Sequence, residues 1–193
     1  MRTYLFILAL AFTSFTSAQE INWMTIEEAE AAVKKEPKKI FIDVYTDWCG
    51  YCKKMDRITY SNKIISSYIN KNFYPVKLDG EQREDLIYKD YTFKYRPSGR
   101  RGYHEFTASL LNGKLSYPTT VFMNENLDLL DRVPGYLTPD IMEQVITYFG
   151  SEKYKTDSWE EYIKTFKSKI KTQKVEQKEL LESNTTLADT RSE

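Results

Sequence analysis

Cys49 and Cys52 are the only cysteines in this 193-residue chain, and only Gly50 and Tyr51 separate them. Two thiols at this spacing can close a small disulfide, pass a mixed disulfide from one sulfur to the other, or supply ligands to a soft metal. The flanking residues bear on the choice. Lys39-Ile40-Phe41-Ile42-Asp43-Val44-Tyr45, ahead of the pair, reads as a buried strand, and the segment carrying Lys53, Lys54, Met55 and Arg57 reads as a helix. A thiol at such a junction lies at a helix N-terminus, where unpaired backbone N–H groups and the macrodipole favour the thiolate. The second thiol falls one turn further on, within reach of a mixed disulfide formed on the first. Thiol–disulfide exchange needs that arrangement.

Three other readings compete. A structural staple is one, but closing so short a loop contributes only about 2 kcal/mol in the chain-entropy account. A metal site is the second. Zinc takes four protein ligands, or three and water, and beyond the two cysteines the chain offers a single histidine, His104, so a carboxylate would have to complete the set. The third is a pair of inert reduced thiols, which the export signal described below argues against.

Further landmarks give a resemblance. Asp43, Trp48 and Cys49-Gly50-Tyr51-Cys52 resemble the active site of thioredoxins. Tyr117-Pro118-Thr119, ahead of the strand-like Thr120-Val121-Phe122-Met123, is similar to the stretch that holds the family's cis-proline. Val133-Pro134-Gly135-Tyr136-Leu137 falls at the place of its glycine before the last helix. The pattern resembles that of secreted bacterial thioredoxin-like proteins, similar to the C-terminal domain of the DsbD-type reductase, and the resemblance covers residues 21–150. It implies an α/β fold of thioredoxin type, a central mixed β-sheet flanked by helices. Against that pattern the chain carries a helical and loop insertion over about 83–116, before the cis-proline, and a C-terminal helical extension.

The resemblance also implies roles. Cys49 is expected to be the exposed nucleophile and Cys52 the resolving thiol, with Asp43 relaying the Cys52 proton. A carboxylate buried in a strand has its pKa raised by desolvation, which suits it to that exchange; the competing reading is a strand-end aspartate that meets water or caps a turn. A cis Pro118 would leave the Tyr117 backbone free to pair with an extended partner segment, and Trp48 is expected as a contact surface beside Cys49. No cofactor and no metal is called for. The expected partners are disulfide-containing exported proteins and an electron-donor thiol protein, free or membrane-bound. Gly50-Tyr51 departs from the Gly-Pro of thioredoxins proper, so the direction of electron flow stays open. Reduction is favoured; an oxidase or isomerase, or a redox-independent binding module, are the alternatives.

Export is read from the first residues. Met1-Arg2, the apolar run from Tyr4 to Phe12 and the small residues Thr16-Ser17-Ala18 make an expected signal peptide over 1–18. The run is too short to span a bilayer, which points to a soluble exported protein, periplasmic in its expected setting. Lys and Arg number 28 against 28 Asp and Glu, so no global field draws the chain to nucleic acid. Its 15 Tyr and 10 Phe supply much of the material for a core.

Positioning elements follow from local signals. Thr25-Ile26-Glu27-Glu28 reads as a capping box opening a helix that ends before Pro37, after a short edge strand at Ile21-Asn22-Trp23. The active-site helix is expected over Cys49 to Thr59, with Ser61 capping the next, and Tyr74 to Asp79 as a strand. Asp85 to Tyr91 is expected to be helical, Tyr95 to Glu105 a loop, and Phe106 to Leu111 a short helix ended by Asn112-Gly113. The loop's Arg96, Arg100 and Arg101 suit an acidic partner or a solvated surface equally well, and His104 reads more readily as structural than as a proton carrier. Thr119 to Asn124 and Leu127 to Val133 suggest a hairpin, and Thr138-Pro139 a helix start. Ser158-x-x-Glu161 opens a helix in 151–172 with Trp159, Tyr162, Ile163, Phe166 and Ile170 on one face. Residues 173–193 read as a tail without a core.

Overall fold

The computed structural model describes residues 20–171 and 173–174. The expected signal peptide and nearly all of the expected tail lie outside the described residues.

Four strands make the central sheet: β1 (Lys39–Tyr45), β2 (Phe73–Asp79), β7 (Thr119–Met123) and β8 (Leu129–Pro134), in the order β2-β1-β7-β8. β1 runs parallel to β2 and antiparallel to β7, and β8 is antiparallel to β7, so the sheet is mixed. Alternation along β1 sends Ile40, Ile42 and Val44 to one face and Phe41 and Asp43 to the other. The first face packs on α1 (Ile26–Lys35) and α4 (Glu105–Leu110), through Ile26, Ala29, Val33, Phe106 and Leu110. The second packs on α2 (Gly50–Met55), α3 (Lys63–Asn72) and α5 (Pro139–Gly150). Aromatic rings fill much of that second layer: Phe41 meets Phe122 edge-on at 5.6 Å, and Phe122 stacks on Phe149 at 4.2 Å. Asp43 therefore projects into the layer roofed by the helix that carries Cys52.

Helix starts follow side-chain chemistry. Thr25 and Ser158 close capping boxes with Glu28 and Glu161, and Thr138 caps α5 ahead of Pro139. Other expectations are corrected. The Ile21–Trp23 edge strand is reduced to one parallel bridge, Met24 to Val76. The active-site helix is regular only to Met55 and continues as a π-helical turn over Asp56–Tyr60. Asn62, not Ser61, caps α3, accepting from the amides of Ile64 and Ile65, while the Ser61 hydroxyl turns back to the Arg57 carbonyl.

Asp85 to Tyr91 is not helical. β3 (Leu86–Tyr88) and β4 (Tyr91–Phe93) form a hairpin, because Leu86 and Tyr88 are buried with Ile87 exposed, a period of two. Lys89 and Asp90, at φ 49° and 60°, supply the two left-handed residues of a tight hairpin turn. A second ladder pairs β5 (Tyr95–Arg96) with β6 (Tyr103–His104), flanking the loop that holds Arg100 and Arg101. β8 begins two residues later than expected, since Leu127, at φ 63°, belongs to the turn.

The C-terminal extension is not one helix. A 3-10 turn (Lys153–Lys155) precedes α6 (Trp159–Thr165); the backbone is extended at Phe166 and helical again at 169–171. Glu143 of α5 meets the chain just after the break. Its buried carboxylate accepts the Ser168 hydroxyl at 2.6 Å and the Lys169 amide at 2.7 Å, so the restarted turn is capped from outside. Trp159 and Tyr162 still pack back on the domain, both against Tyr148.

Candidate active site

Cys49 is the N-cap of α2. Its backbone is extended, and its sulfur accepts the Cys52 amide at 3.1 Å while bonded to the Cys52 sulfur at 2.11 Å. The expectation of an exposed Cys49 beside a buried Cys52 is not met in this disulfide form: they are 5% and 2% exposed. The bond to Cys52 and the contact with its amide turn the Cys49 sulfur inward. The rim above is open, since nothing approaches the Gly50 Cα from outside and the Tyr51 side chain projects into solvent.

On β1, Asp43 is buried from solvent. Its Oδ2 accepts Lys77 Nζ at 2.6 Å, and Lys77 is its direct register partner on β2. The Lys77 ammonium also bonds Asp56 in the π-helical turn, and the rings of Trp23, Tyr45 and Tyr60 surround it at 5.0 to 5.2 Å. Burial raises the Asp43 pKa, and the Lys77 charge and hydrogen bond oppose that without cancelling it. For Lys77, burial works against the charged form, but Asp43 and Asp56 outweigh it and its pKa rises. Tyr60, raised well above the ordinary phenol by burial and by the Asp43 charge, stays neutral. Asp43 Oδ1, the Tyr60 hydroxyl and the Thr120 hydroxyl share this buried region, and none closes a hydrogen bond of ordinary geometry. The bland reading of Asp43 as a strand end in water is therefore set aside.

The Tyr117–Pro118 peptide bond is cis, and Pro118 leads into β7, where Thr120 pairs with Asp43. The Pro118 carbonyl accepts the Gly135 amide at 2.8 Å, tying this corner to the end of β8. Tyr117 folds over Gly80: a Cβ there would lie 2.5 Å from the Tyr117 hydroxyl, so only glycine permits the approach. Burial raises the Tyr117 phenol to about 12. Trp48 is 51% exposed, meets Tyr117 edge-on at 6.0 Å and donates its indole N–H to Glu81 Oε1 at 3.0 Å.

The structure thus joins Cys49 to Cys52 and brings Trp48 against Tyr117, with Asp43 paired to Lys77 on the helix-covered face of β1. Sequence reasoning missed Lys77, Asp56, Tyr60 and Glu81. Lys77 carried a usable signal, a charged residue at a buried-face position between Pro75 and Asp79. His104 is structural. It is fully buried, its Nδ1 accepts the Phe106 amide at 3.3 Å to cap α4, and Nε2 donates to the Glu84 carbonyl at 3.2 Å. Of the three arginines, Arg96 bonds Glu105 and Arg101 lies on Trp48. Among the described residues no three of His, Cys, Asp and Glu converge as a metal-binding group, and no helix is long and apolar enough to cross a membrane.

Comparison with known proteins agrees with this architecture. A solved putative disulphide-isomerase from Bacteroides thetaiotaomicron superposes with a TM-score of 0.50 at 22% identity, covering 74% of this chain and 99% of that one. Spermatogenesis-associated protein 20 of Rattus norvegicus is 34% identical over 77 residues, 40% of this chain. Thiol:disulfide interchange protein DsbD of Pectobacterium atrosepticum is 28% identical over 62 residues, 31% of this chain. The chain spans only 10% and 11% of the lengths of those two relatives. The model of the thioredoxin-like domain matches residues 26–150, and the chain belongs to that family.

Proposed function

We propose that the chain is an exported thiol–disulfide oxidoreductase that reduces disulfides in partner proteins through Cys49 and Cys52, with no cofactor. The observation that carries this reading is a Cys49–Cys52 disulfide at the N-terminus of α2, with a buried carboxylate, Asp43, on the face of β1 that this helix covers. In the reduced protein the Cys49 thiolate attacks one sulfur of a partner disulfide. A mixed disulfide forms, and the partner's first sulfur leaves as a thiolate and takes a proton from water. Cys52 then gives its proton to Asp43, whose Oδ1 is not engaged by Lys77, and its thiolate attacks the Cys49 sulfur. The partner leaves with its second thiol, two electrons have passed to it, and the Cys49–Cys52 disulfide is restored. A donor thiol protein must then return two electrons.

Partner binding falls to the face around Cys49. The Tyr117 backbone ahead of the cis-proline offers an edge for an extended segment, and the exposed Trp48 and Tyr51 side chains offer apolar contact. Export is supported by the charged, apolar and small-residue sequence of positions 1–18. Insulin reduction with dithiothreitol as donor tests the activity: wild type should turn over and Cys49→Ser should not. Turnover that survives Cys49→Ser contradicts the reading and leaves a binding module. A measured potential fixes the direction of flow, since about 30 mV corresponds to a tenfold change in the equilibrium.

A further inference from the structure

Arg101 reaches the dithiol rim from the loop between β5 and β6. Its guanidinium carbon lies 4.5 Å from the centroid of the Trp48 ring, and its Nη1 is 3.9 Å from Glu81 Oε2, whose other oxygen accepts the indole N–H. Trp48 is therefore held from three directions. Glu81, in the turn after β2, takes the polar edge; Tyr117, ahead of the cis-proline, meets the ring edge-on; Arg101 covers a face. We propose that Arg101 is a positioning residue that fixes the Trp48 indole beside Cys49, making the 83–116 segment a working part of the partner-binding face.

The loop is built to deliver that side chain. Its base is the β5–β6 ladder, the His104 amide bonds the Gly80 carbonyl at 2.9 Å, and Arg96 Nε bonds Glu105 at 2.6 Å. Next to Arg101, Gly102 closes on Tyr95 and Arg96: a Cβ there would fall 2.2 Å from the Tyr95 ring and 2.4 Å from the Arg96 carbonyl oxygen. The Arg83 guanidinium then covers Tyr95 at 5.0 Å. These contacts join the turn after β2 to the loop, so Arg101 and Glu81 keep their places around one indole. The guanidinium already faces Glu81, which makes it a poor receptor for an acidic partner and a good clamp. A half-exposed indole held in place before binding lowers the ordering cost when a partner segment lands on it.

The effect on turnover rests on the exchange reading above; the clamp does not. Arg101→Ala, Arg101→Lys and wild type are compared in two measurements. One is exchange of the indole N–H protons with water by NMR, with the Trp48 signal identified by its loss in Trp48→Phe. Arg101→Ala should speed exchange at Trp48 and leave Trp23 and Trp159 unchanged, with Arg101→Lys intermediate. The other is insulin reduction against hydroxyethyl disulfide reduction. KM for insulin should rise about 2- to 5-fold, the strength of an exposed cation–π contact, with kcat and the small-disulfide rate unchanged. An unmoved Trp48 proton overturns the positioning role whatever the turnover. A loosened indole with unchanged insulin KM overturns the link to partner binding. Wild type that reduces neither disulfide overturns the exchange reading and leaves the indole proton to decide Arg101 by itself.

Discussion

Lys77 donates to Asp43 Oδ2 at 2.6 Å from the directly opposed position of the neighbouring parallel strand, and it holds Asp56 of the π-helical turn with the same ammonium. One cation thus sits between a fully buried carboxylate and a solvent-facing one. The Lys77 charge and hydrogen bond pull the Asp43 pKa down against the larger raising effect of burial.

Lys77→Met should expose that dependence. Removing one partner of a buried ion pair costs about 3 kcal/mol or more where the survivor stays charged. Burial raises the Asp43 pKa above 3.8, so between its unfolded and folded values the folded state binds more proton than the unfolded one. The stability Asp43 contributes is present below its unfolded pKa and lost as pH rises through the folded one. Without Lys77 the folded value climbs further. Urea unfolding should show a large loss at pH 8 and a clearly smaller one at pH 5; equal losses would separate Asp43 from Lys77.

Asp43→Asn should slow resolution more than first attack. The carboxylate serves the buried Cys52, while Cys49 draws on the helix N-terminus. Stopped-flow exchange with a model disulfide should show a mixed disulfide building up at pH 7, with resolution slowed by about 10-fold or more. Unchanged kinetics of both steps from pH 6 to 9 would remove Asp43 from the mechanism.

Burial lowers the His104 pKa below 6.5, against the opposing pull of Glu105, Asp85 and Glu27 and of its bond to the Glu84 carbonyl. A depressed folded value favours the neutral ring, so its contribution is full above the unfolded pKa and lost as pH falls through the folded one. Protonated Nδ1 cannot accept the Phe106 amide, so the α4 cap fails first. Amide exchange at Phe106 should rise toward pH 5 after correction for intrinsic rates. In His104→Asn, which keeps a capping oxygen and cannot titrate there, the corrected profile should be flat. Matching profiles would place the acid sensitivity elsewhere.

What the sequence discloses divides along physical lines. The Cys49–Cys52 pair, the Thr25 and Ser158 capping boxes and Thr138-Pro139 act within a few residues of themselves, so they can be read locally. Lys77 is legible only as a charge on a buried-face position; its pairing with Asp43 comes from a parallel register that nothing in Tyr74 to Asp79 states. The hairpin at Leu86 to Phe93 was obscured by its turn: Lys89-Asp90 takes left-handed backbone without the Asn-Gly that would announce it. Arg101 sat in a loop legible only as polar, and its role depends on where β5 and β6 close. The cap on the turn restarted after Thr165 comes from Glu143, a residue of another helix.

Trapping a mixed disulfide tests the central claim most directly. Cys52→Ser and Cys49→Ser, each reduced and mixed with a disulfide-bonded protein such as insulin, would be quenched with acid and read by mass spectrometry. The account predicts a covalent adduct on Cys49 in Cys52→Ser and little or none on Cys52 in Cys49→Ser. An adduct formed chiefly through Cys52, or none with either variant, would contradict it.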